Sequence, residues 1–94
     1  MIHLSAYRIP EAVKKEAKKG LKLRKELRTG NADNRRGYVT AKALTEQEFV
    51  HASTINKMRA FFARWEKTKN ASTIQKVNWL LWGGDAGKRW VDRL

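Results

Sequence analysis

Basic residues recur through one segment near the start of the chain, from Lys14 to Arg28. The segment holds eight basic residues and two acidic ones, too few carboxylates for ion pairs along a helix to neutralise it. A row of cations on a helix suits a phosphate backbone, because each neutralised phosphate releases condensed counterions. A solvated face that only keeps the helix soluble is the alternative. We predict nucleic-acid contacts from seven side chains: Lys14, Lys15, Lys18, Lys19, Lys22, Lys25 and Arg28.

Two smaller basic groups lie further along the chain. Arg35 and Arg36 precede Tyr38 in a segment bounded by glycine and asparagine. A loop that carries charge and a stacking ring can reach into a groove or onto an exposed base, although a disordered surface loop fits the pattern equally well. Lys88 and Arg89 lie near the start of a predicted helix, whose free N–H groups can bind one backbone phosphate. We predict nucleic-acid contacts from all four cations and a candidate aromatic contact from Tyr38.

The GGDAGKR stretch that begins at Gly83 has part of the phosphate-binding pattern GxxxxGK[ST]. Trp82 stands where the first glycine of that pattern belongs, and Arg89 replaces the hydroxyl residue that would hold Mg²⁺. A helix is predicted before the stretch, where the pattern requires a strand. We therefore predict a structural turn whose glycines permit positive φ, and no nucleotide hydrolysis.

Residues that could support catalysis or bind a metal are few. The chain has no cysteine and two histidines, His3 and His51, which excludes thiolate zinc sites. His51 lies near Glu48 and Ser53 in a pattern of acid–base group and nucleophile, but helix capping by Ser53 explains the spacing as well. The acidic residues are not clustered as a two-metal nuclease site requires. We predict no enzymatic activity, no metal and no cofactor.

The balance of charge predicts an anionic partner. Of 94 residues, 21 are Lys or Arg and 9 are Asp or Glu, which gives a net charge of +12. Residues 1–30 and 53–94 each hold nine basic and three acidic side chains, whereas residues 31–52 hold three of each. A small domain is soluble at a net charge of about 2–8, so the excess implies neutralisation by a polyanion.

The length and a hydrophobic content of 41% predict one folded domain over residues 1–94. No apolar run approaches the roughly 20 residues that cross a bilayer, so we expect no membrane partner. No segment shows the alternation of a sheet. The fold class predicted is all-α, with a long basic N-terminal helix and a C-terminal helical hairpin closed by a GGDAG turn and a short helix.

The first half of the chain predicts one long helix and irregular structure around it. Proline suits a first helical turn, and apolar residues recur on one side afterwards, so a helix is expected over Pro10–Leu27. Residues 1–9 are expected to be flexible and residues 29–39 to form a loop. A short helix is expected over Val39–Leu44. Thr45-x-x-Glu48 has the form of a capping box, which predicts another brief helix.

The second half predicts three helices. Ser53 and Thr54 can cap a helix over Thr54–Lys67, whose core stripe is Ile55, Met58, Phe62 and Trp65. Ser72-x-x-Gln75 is a capping box for the next helix. Its predicted inward residues are Ile74, Val77, Leu80 and Leu81. Gly83-Gly84 ends that helix, and Asp85 is placed to cap a last one over Ala86–Leu94, with Trp90, Val91 and Leu94 folding back on it.

The four tryptophans divide into two groups. Trp65 and Trp90 lie on apolar stripes and are predicted to be core. Trp79 and Trp82 straddle their helix, so one of them is expected to be exposed. An exposed tryptophan there would mark a contact surface for a base or a protein, which makes both residues candidate aromatic contacts.

The stretch VNWLLWGGDAGKRW, residues 77–90, resembles a signature of small helical domains encoded by bacteriophages. It consists of a helix, a WGGDAG turn and a second helix with an inward tryptophan. The stretches TINKMRAFFAR, residues 54–64, and AKKGL, residues 17–21, resemble earlier parts of the same family. The resemblance implies a phage origin, since such domains are encoded alone or beside phage head and protease genes, and it carries no catalytic residue.

The charge and the resemblance together predict a phage-encoded accessory protein that binds nucleic acid mainly through its phosphate backbone, with little sequence specificity and with DNA favoured over RNA. Its expected location is the host cytoplasm or the virion. The alternative is a protein-interaction module, either a virion or assembly component or an inhibitor of a host protein. Such a module would dock on an acidic protein surface and use an exposed Trp79 or Trp82 as its anchor.

Overall fold

The computed structural model describes residues 6–27 and 35–94, and this part of the chain folds into five α-helices and one small sheet. The strands are β1 (Ala6–Arg8) and β2 (Phe49–His51). The helices are α1 (Glu11–Leu27), α2 (Arg35–Glu46), α3 (Ala52–Trp65), α4 (Thr73–Leu81) and α5 (Gly84–Arg93), with a 3-10 turn at Glu66–Thr68. The all-α prediction is confirmed. Within the described residues, none of the helices has the length and apolar character that a membrane crossing requires.

The sheet was not predicted from the sequence. β1 and β2 are antiparallel, with Tyr7 opposite Val50, and the Ile9 N–H donates to the Glu48 carbonyl over 2.9 Å. Ile9 and Val50 are buried, so the sheet anchors the residues before α1 to the core. Three-residue strands are too short to show alternation, which is why the sequence contains no signal for them. The prediction of flexibility is wrong for residues 6–9, and residues 1–5 lie outside the described residues.

Helix α1 begins where proline predicted it and packs closely on α4. Its buried residues are Val13, Ala17 and Gly20. A Cβ at position 20 would lie 2.7 Å from the Leu81 backbone nitrogen and 2.9 Å from the Leu80 carbonyl carbon. Glycine is therefore what lets the two backbones meet, and the opposite face of α1 points away from α4.

Helix α2 covers residues that were predicted to form a loop. The loop prediction is wrong for residues 35–39, which form the first turns of α2, and residues 29–34 lie outside the described residues. In the sequence, Gly37 is a residue type that disfavours a helix, yet in the structure it is a buried residue of α2. A Cβ at position 37 would lie 2.4 Å from Asn78 Oδ1 and 3.2 Å from Trp82 Nε1. Close packing on α4 explains this glycine.

The segment between α2 and α3 contains no separate capped helix. The Thr45 hydroxyl donates to the Ala41 carbonyl over 2.8 Å, inside the last turn of α2, so the predicted capping box with Glu48 does not form. His51 caps α3 through Nδ1, which accepts the Ser53 N–H over 3.1 Å. Helix α3 therefore begins two residues before the predicted start, and Ser53 is in its first turn.

The connection from α4 to α5 follows the sequence prediction in part. The Ser72 hydroxyl accepts the Gln75 N–H over 3.1 Å, which confirms Ser72 as the cap of α4. Gly83 and Gly84 have φ of 113° and 65°, values that favour glycine and end α4. Helix α5 starts directly at Gly84, so Asp85 lies in its first turn and is not its cap.

An aromatic cluster fills the core between α3 and α4. Phe61 stacks on Trp82 with ring centroids 4.8 Å apart and planes 10° apart, and Phe62 meets Trp79 edge to face at 4.9 Å. Trp79, Trp82 and Trp90 are all buried, so the expectation that Trp79 or Trp82 is exposed is wrong. Trp65 was predicted to be core, but it is 39% exposed at the end of α3. Trp65 lies on the same side of α3 as the buried Met58 and Phe61, but it is the last residue of the helix, where neighbouring elements cover less of the side chain.

Two other apolar residues predicted to face inward are exposed. Ile74 lies in the first turn of α4 and is 41% exposed, and Leu94, which directly follows α5, is 50% exposed. Both lie at helix ends, where neighbouring elements cover less of the side chain.

Candidate functional site

The outward face of α1 carries five exposed lysines. Lys15, Lys18, Lys22 and Lys25 recur at i, i+3, i+7 and i+10, which keeps them on one side of the helix, and Lys19 adjoins them. This face is opposite the buried residues of α1. Within the described residues, none of the five forms an ion pair. We call these five residues the lysine ridge.

The other two predicted cations of this segment do not belong to the ridge. Lys14 turns toward α2, where Nζ donates to the Leu44 carbonyl over 3.1 Å and to the Gln47 carbonyl. These carbonyls have no partner inside the helix, so Lys14 caps the end of α2 and its charge favours the negative end of the helix dipole. Arg28 lies outside the described residues.

Arg35 and Arg36 are exposed in the first turn of α2, beside the end of α1. The Arg24 guanidinium lies 4.2 Å from the centroid of the Tyr38 ring, which is a cation–π contact between the two helices. One face of the Tyr38 ring is therefore covered, and the side chain is half-buried. The predicted role of Tyr38 as a free stacking ring loses its support, whereas both arginines stay accessible.

Carboxylates surround the start of α5, where a phosphate contact was predicted. Lys88 Nζ lies 2.6 Å from Asp92 and 3.8 Å from Glu66, and the hydrogen bond to Asp92 raises the pKa of Lys88 above its usual value of 10.5. A Cβ on Gly84 would lie 2.6 Å from Glu16 Oε1, so the Glu16 carboxylate already lies at the positive end of the helix. Lys88 is thus neutralised and anions are already present here. Arg89 is exposed, but Lys88, which was predicted to bind the same phosphate, is already paired with Asp92.

Asp85 joins α4, α5 and the turn before α4. Its Oδ1 accepts from Trp79 Nε1 over 2.9 Å and from Lys69 Nζ over 2.9 Å, and Lys69 also lies 4.9 Å from the Trp79 ring centroid. The Lys69 hydrogen bond lowers the pKa of Asp85 below its usual value of 3.8; burial opposes this shift and the bond from Trp79 adds to it. The buried Trp79 indole therefore has its hydrogen-bond partner, and the site is structural.

The pattern of His51, Glu48 and Ser53 also has structural explanations. His51 Nδ1 serves as the helix cap, and Glu48 pairs with Arg8 over 3.3 Å at the surface. Within residues 6–27 and 35–94, no group of histidine and acidic side chains has the arrangement of a metal site.

A basic groove that sequence reasoning missed lies between α2, α3 and α4. It has a volume of about 750 Å³ and takes basic side chains from two walls, Arg35 and Arg36 on α2 and Lys57 and Arg64 on α3. Trp65 lies at its edge and Phe61, Asn78 and Trp82 at its base. A smaller hollow of about 300 Å³ adjoins it and shares Phe61, Trp65 and Asn78. The sequence carries a partial signal, because positions 57, 60 and 64 recur on one face of α3, but the facing wall comes from a segment that was predicted to be a loop.

In comparisons with known proteins, no family model, no curated protein and no solved structure matches this chain. The resemblance to phage-encoded helical domains therefore stays a prediction.

Proposed function

We propose that the protein binds nucleic acid, DNA in preference to RNA, mainly through the phosphate backbone and with little sequence specificity. The lysine ridge provides the main contact, and Arg35 and Arg36 add to its field at the neighbouring end of α2. Lys14 and Lys88 have no part in this contact, because carbonyl and carboxylate partners already hold their ammonium groups.

The observation that carries the proposal is the ridge itself. Its five ammonium groups face solvent on a single helix, without carboxylate partners in the described part of the chain. Elsewhere, five carboxylates are already paired with lysine or arginine: Glu46, Glu48, Glu66, Asp85 and Asp92. Helix α1 carries seven lysine and arginine side chains against three glutamates, and a phosphate backbone supplies repeating anions for the excess of positive charge on this helix.

The test is a charge reversal with a matched control. The ridge variant carries Lys15→Glu, Lys18→Glu, Lys19→Glu and Lys22→Glu. The control variant changes four exposed cations away from the ridge and the groove: Lys67→Glu, Lys76→Glu, Arg89→Glu and Arg93→Glu. Both variants reduce the formal net charge from +12 to +4. The measurement is the fluorescence anisotropy of a labelled DNA duplex across a salt titration, with circular dichroism to verify helicity.

We expect the ridge variant to lose duplex binding at moderate salt while its helicity is kept, since all four side chains face solvent. Each phosphate contact contributes about −0.9 to the slope of log affinity against log salt, so four lost contacts flatten the slope by roughly 3 to 4. The control variant is expected to keep most of the slope. Equal losses in the two variants would show that net charge matters and the ridge does not. Unchanged affinity in the ridge variant would refute the proposal.

The rival function, docking on an acidic protein surface, loses the anchor that the sequence suggested, because Trp79 and Trp82 are both buried. A bacteriophage origin and a location in the host cytoplasm or the virion remain predictions that rest on the resemblance.

A further inference from the structure

The basic groove is separate from the lysine ridge. Its lining comes from α2, α3 and α4, and no residue of α1 takes part among the described residues. The ridge faces away from α4, whereas the groove has part of α4 at its base. Arg35 and Arg36 adjoin both surfaces, but Lys57, Arg64 and Trp65 belong to the groove alone, so the groove needs an explanation of its own.

The groove has the charge of an anion site. Its four cations occupy two facing walls, and the described residues of its lining include no aspartate or glutamate. Within the described residues, Arg35, Arg36 and Lys57 form no ion pair, and Arg64 contacts only the Trp65 ring, at 5.6 Å. Facing rows of cations can hold a linear anion such as a sugar–phosphate strand along the groove.

The groove also presents aromatic surface, which distinguishes a nucleic acid from other anions. Trp65 is the most exposed tryptophan of the chain, and it lies beside the cation of Arg64. The base of the groove is rigid, because Phe61 stacks on Trp82 and both are buried. A tryptophan at the edge of a basic channel is a platform for an unpaired base, and every base has a face that can stack. An acidic peptide would gain from the charges and not from the ring.

The base of the groove offers one unsatisfied acceptor. Asn78 lines the groove, and its Oδ1 is buried without a hydrogen-bond partner in the described residues. An unpaired buried acceptor destabilises the free protein. This oxygen faces Gly37 of α2, so it is covered in the free protein, and the case for the ligand rests on the cations and on Trp65.

We propose that the basic groove binds one strand of single-stranded nucleic acid, with phosphates between its two walls and an unpaired base stacked on Trp65. This inference rests on the proposed function and adds a second surface to it. A duplex keeps its bases stacked on each other, and unstacking a step costs energy, so a duplex gains little from Trp65. The ridge thus binds duplex and the groove prefers a single strand.

The first test substitutes Trp65, which is exposed enough for the fold to tolerate the change. Anisotropy is measured with a labelled oligothymidine 12-mer and with a labelled duplex of the same length. We expect Trp65→Ala to weaken oligothymidine binding roughly tenfold and to leave duplex binding unchanged, because stacking is lost and no ridge contact changes. Trp65→Phe keeps a ring and should stay within about threefold of the wild type.

The second test substitutes one arginine from each wall. Arg35→Glu with Arg64→Glu is compared with Lys67→Glu and Lys76→Glu, a pair that changes the net charge equally outside the groove. We expect the first pair to weaken oligothymidine binding at least tenfold more than the second. A polyglutamate peptide added as competitor should displace oligothymidine poorly. If the peptide displaces oligothymidine efficiently and Trp65→Ala binds oligothymidine as tightly as the wild type, the occupant is an acidic peptide and the inference is overturned.

The outcomes separate the groove from the ridge. If the ridge variant binds duplex poorly and still shows the tenfold effect of Trp65→Ala on oligothymidine, both proposals hold. If the ridge variant loses duplex and oligothymidine equally and Trp65→Ala has no effect, the groove proposal is refuted and the proposed function stands. If wild-type protein binds neither probe at low salt, the proposed function is refuted, and the groove proposal, which rests on it, is refuted as well.

Discussion

Replacement of Gly20 by alanine tests the packing that orients the lysine ridge. In an exposed helix, alanine is more stable than glycine by about 1 kcal/mol, so helix propensity alone predicts that Gly20→Ala stabilises the protein. The structure predicts the opposite, because the new Cβ would lie 2.7 Å and 2.9 Å from backbone atoms of α4. Backbone atoms cannot move aside by a rotamer change, so α1 and α4 would have to separate.

The expected size follows from two opposing contributions. Overpacking of a core costs about 1–3 kcal/mol, and a clash with backbone belongs at the upper end of this range. After the gain in propensity of about 1 kcal/mol is subtracted, we expect Gly20→Ala to lower the free energy of unfolding by about 2 kcal/mol. For a chain of this size, such a change lowers Tm by roughly 10 °C.

The assay is chemical and thermal unfolding followed by circular dichroism. The matched control is the pair Lys18→Gly and Lys18→Ala on the exposed face of the same helix, where alanine should be more stable than glycine by about 1 kcal/mol. The order of the two residues should therefore reverse between positions 18 and 20. If Gly20→Ala is as stable as the wild type or more so, α1 does not pack on α4 as described, and the argument that its lysines face outward loses its basis.

Two further predictions concern Asp85 and Trp65. Asp85→Ala should destabilise the protein by about 1–3 kcal/mol, because it leaves the buried Trp79 N–H without a partner, whereas Asp85→Asn keeps an acceptor and should cost less. Since the pKa of Asp85 is lowered in the folded state, the contribution of its carboxylate to stability is complete above the unfolded pKa near 3.8 and is lost as the pH falls through the folded-state pKa. Asp85→Asn should remove this part of the dependence of stability on acid. If the acid unfolding profile of Asp85→Asn equals that of the wild type, the Lys69 contact is contradicted. Trp65 is 39% exposed whereas the other three tryptophans are at most 7% exposed, so acrylamide should quench mainly its fluorescence. Trp65→Phe should then remove the readily quenched fraction, and quenching that persists would place another indole at the surface.

The sequence determined the features that depend on neighbouring residues. Pro10 marked the start of α1, Ser72 marked the cap of α4, and Gly83-Gly84 marked the end of that helix, because capping and backbone preferences act within one or two turns. The excess of positive charge and the class of partner that it suggests also follow from composition alone.

Tertiary structure decided which cations and which rings are available. Lys14 looks like its neighbours in sequence, yet the Leu44 carbonyl that accepts from it belongs to another helix. Trp65 was predicted to be core, and one of Trp79 and Trp82 to be exposed. Instead Trp65 is exposed at the end of α3, and both other tryptophans are buried against Phe61 and Phe62. Burial depends on what the rest of the chain packs against a residue, which local periodicity does not report.

The two basic surfaces show the same division. The ridge lies on one helix, so a period of 3.6 residues was enough to predict most of it. The groove combines residues from α2, α3 and α4, and one of its walls exists because Gly37 lets α2 pack closely on α4. Residues distant in sequence become neighbours only when the core forms, so the tertiary structure alone brings this second surface together.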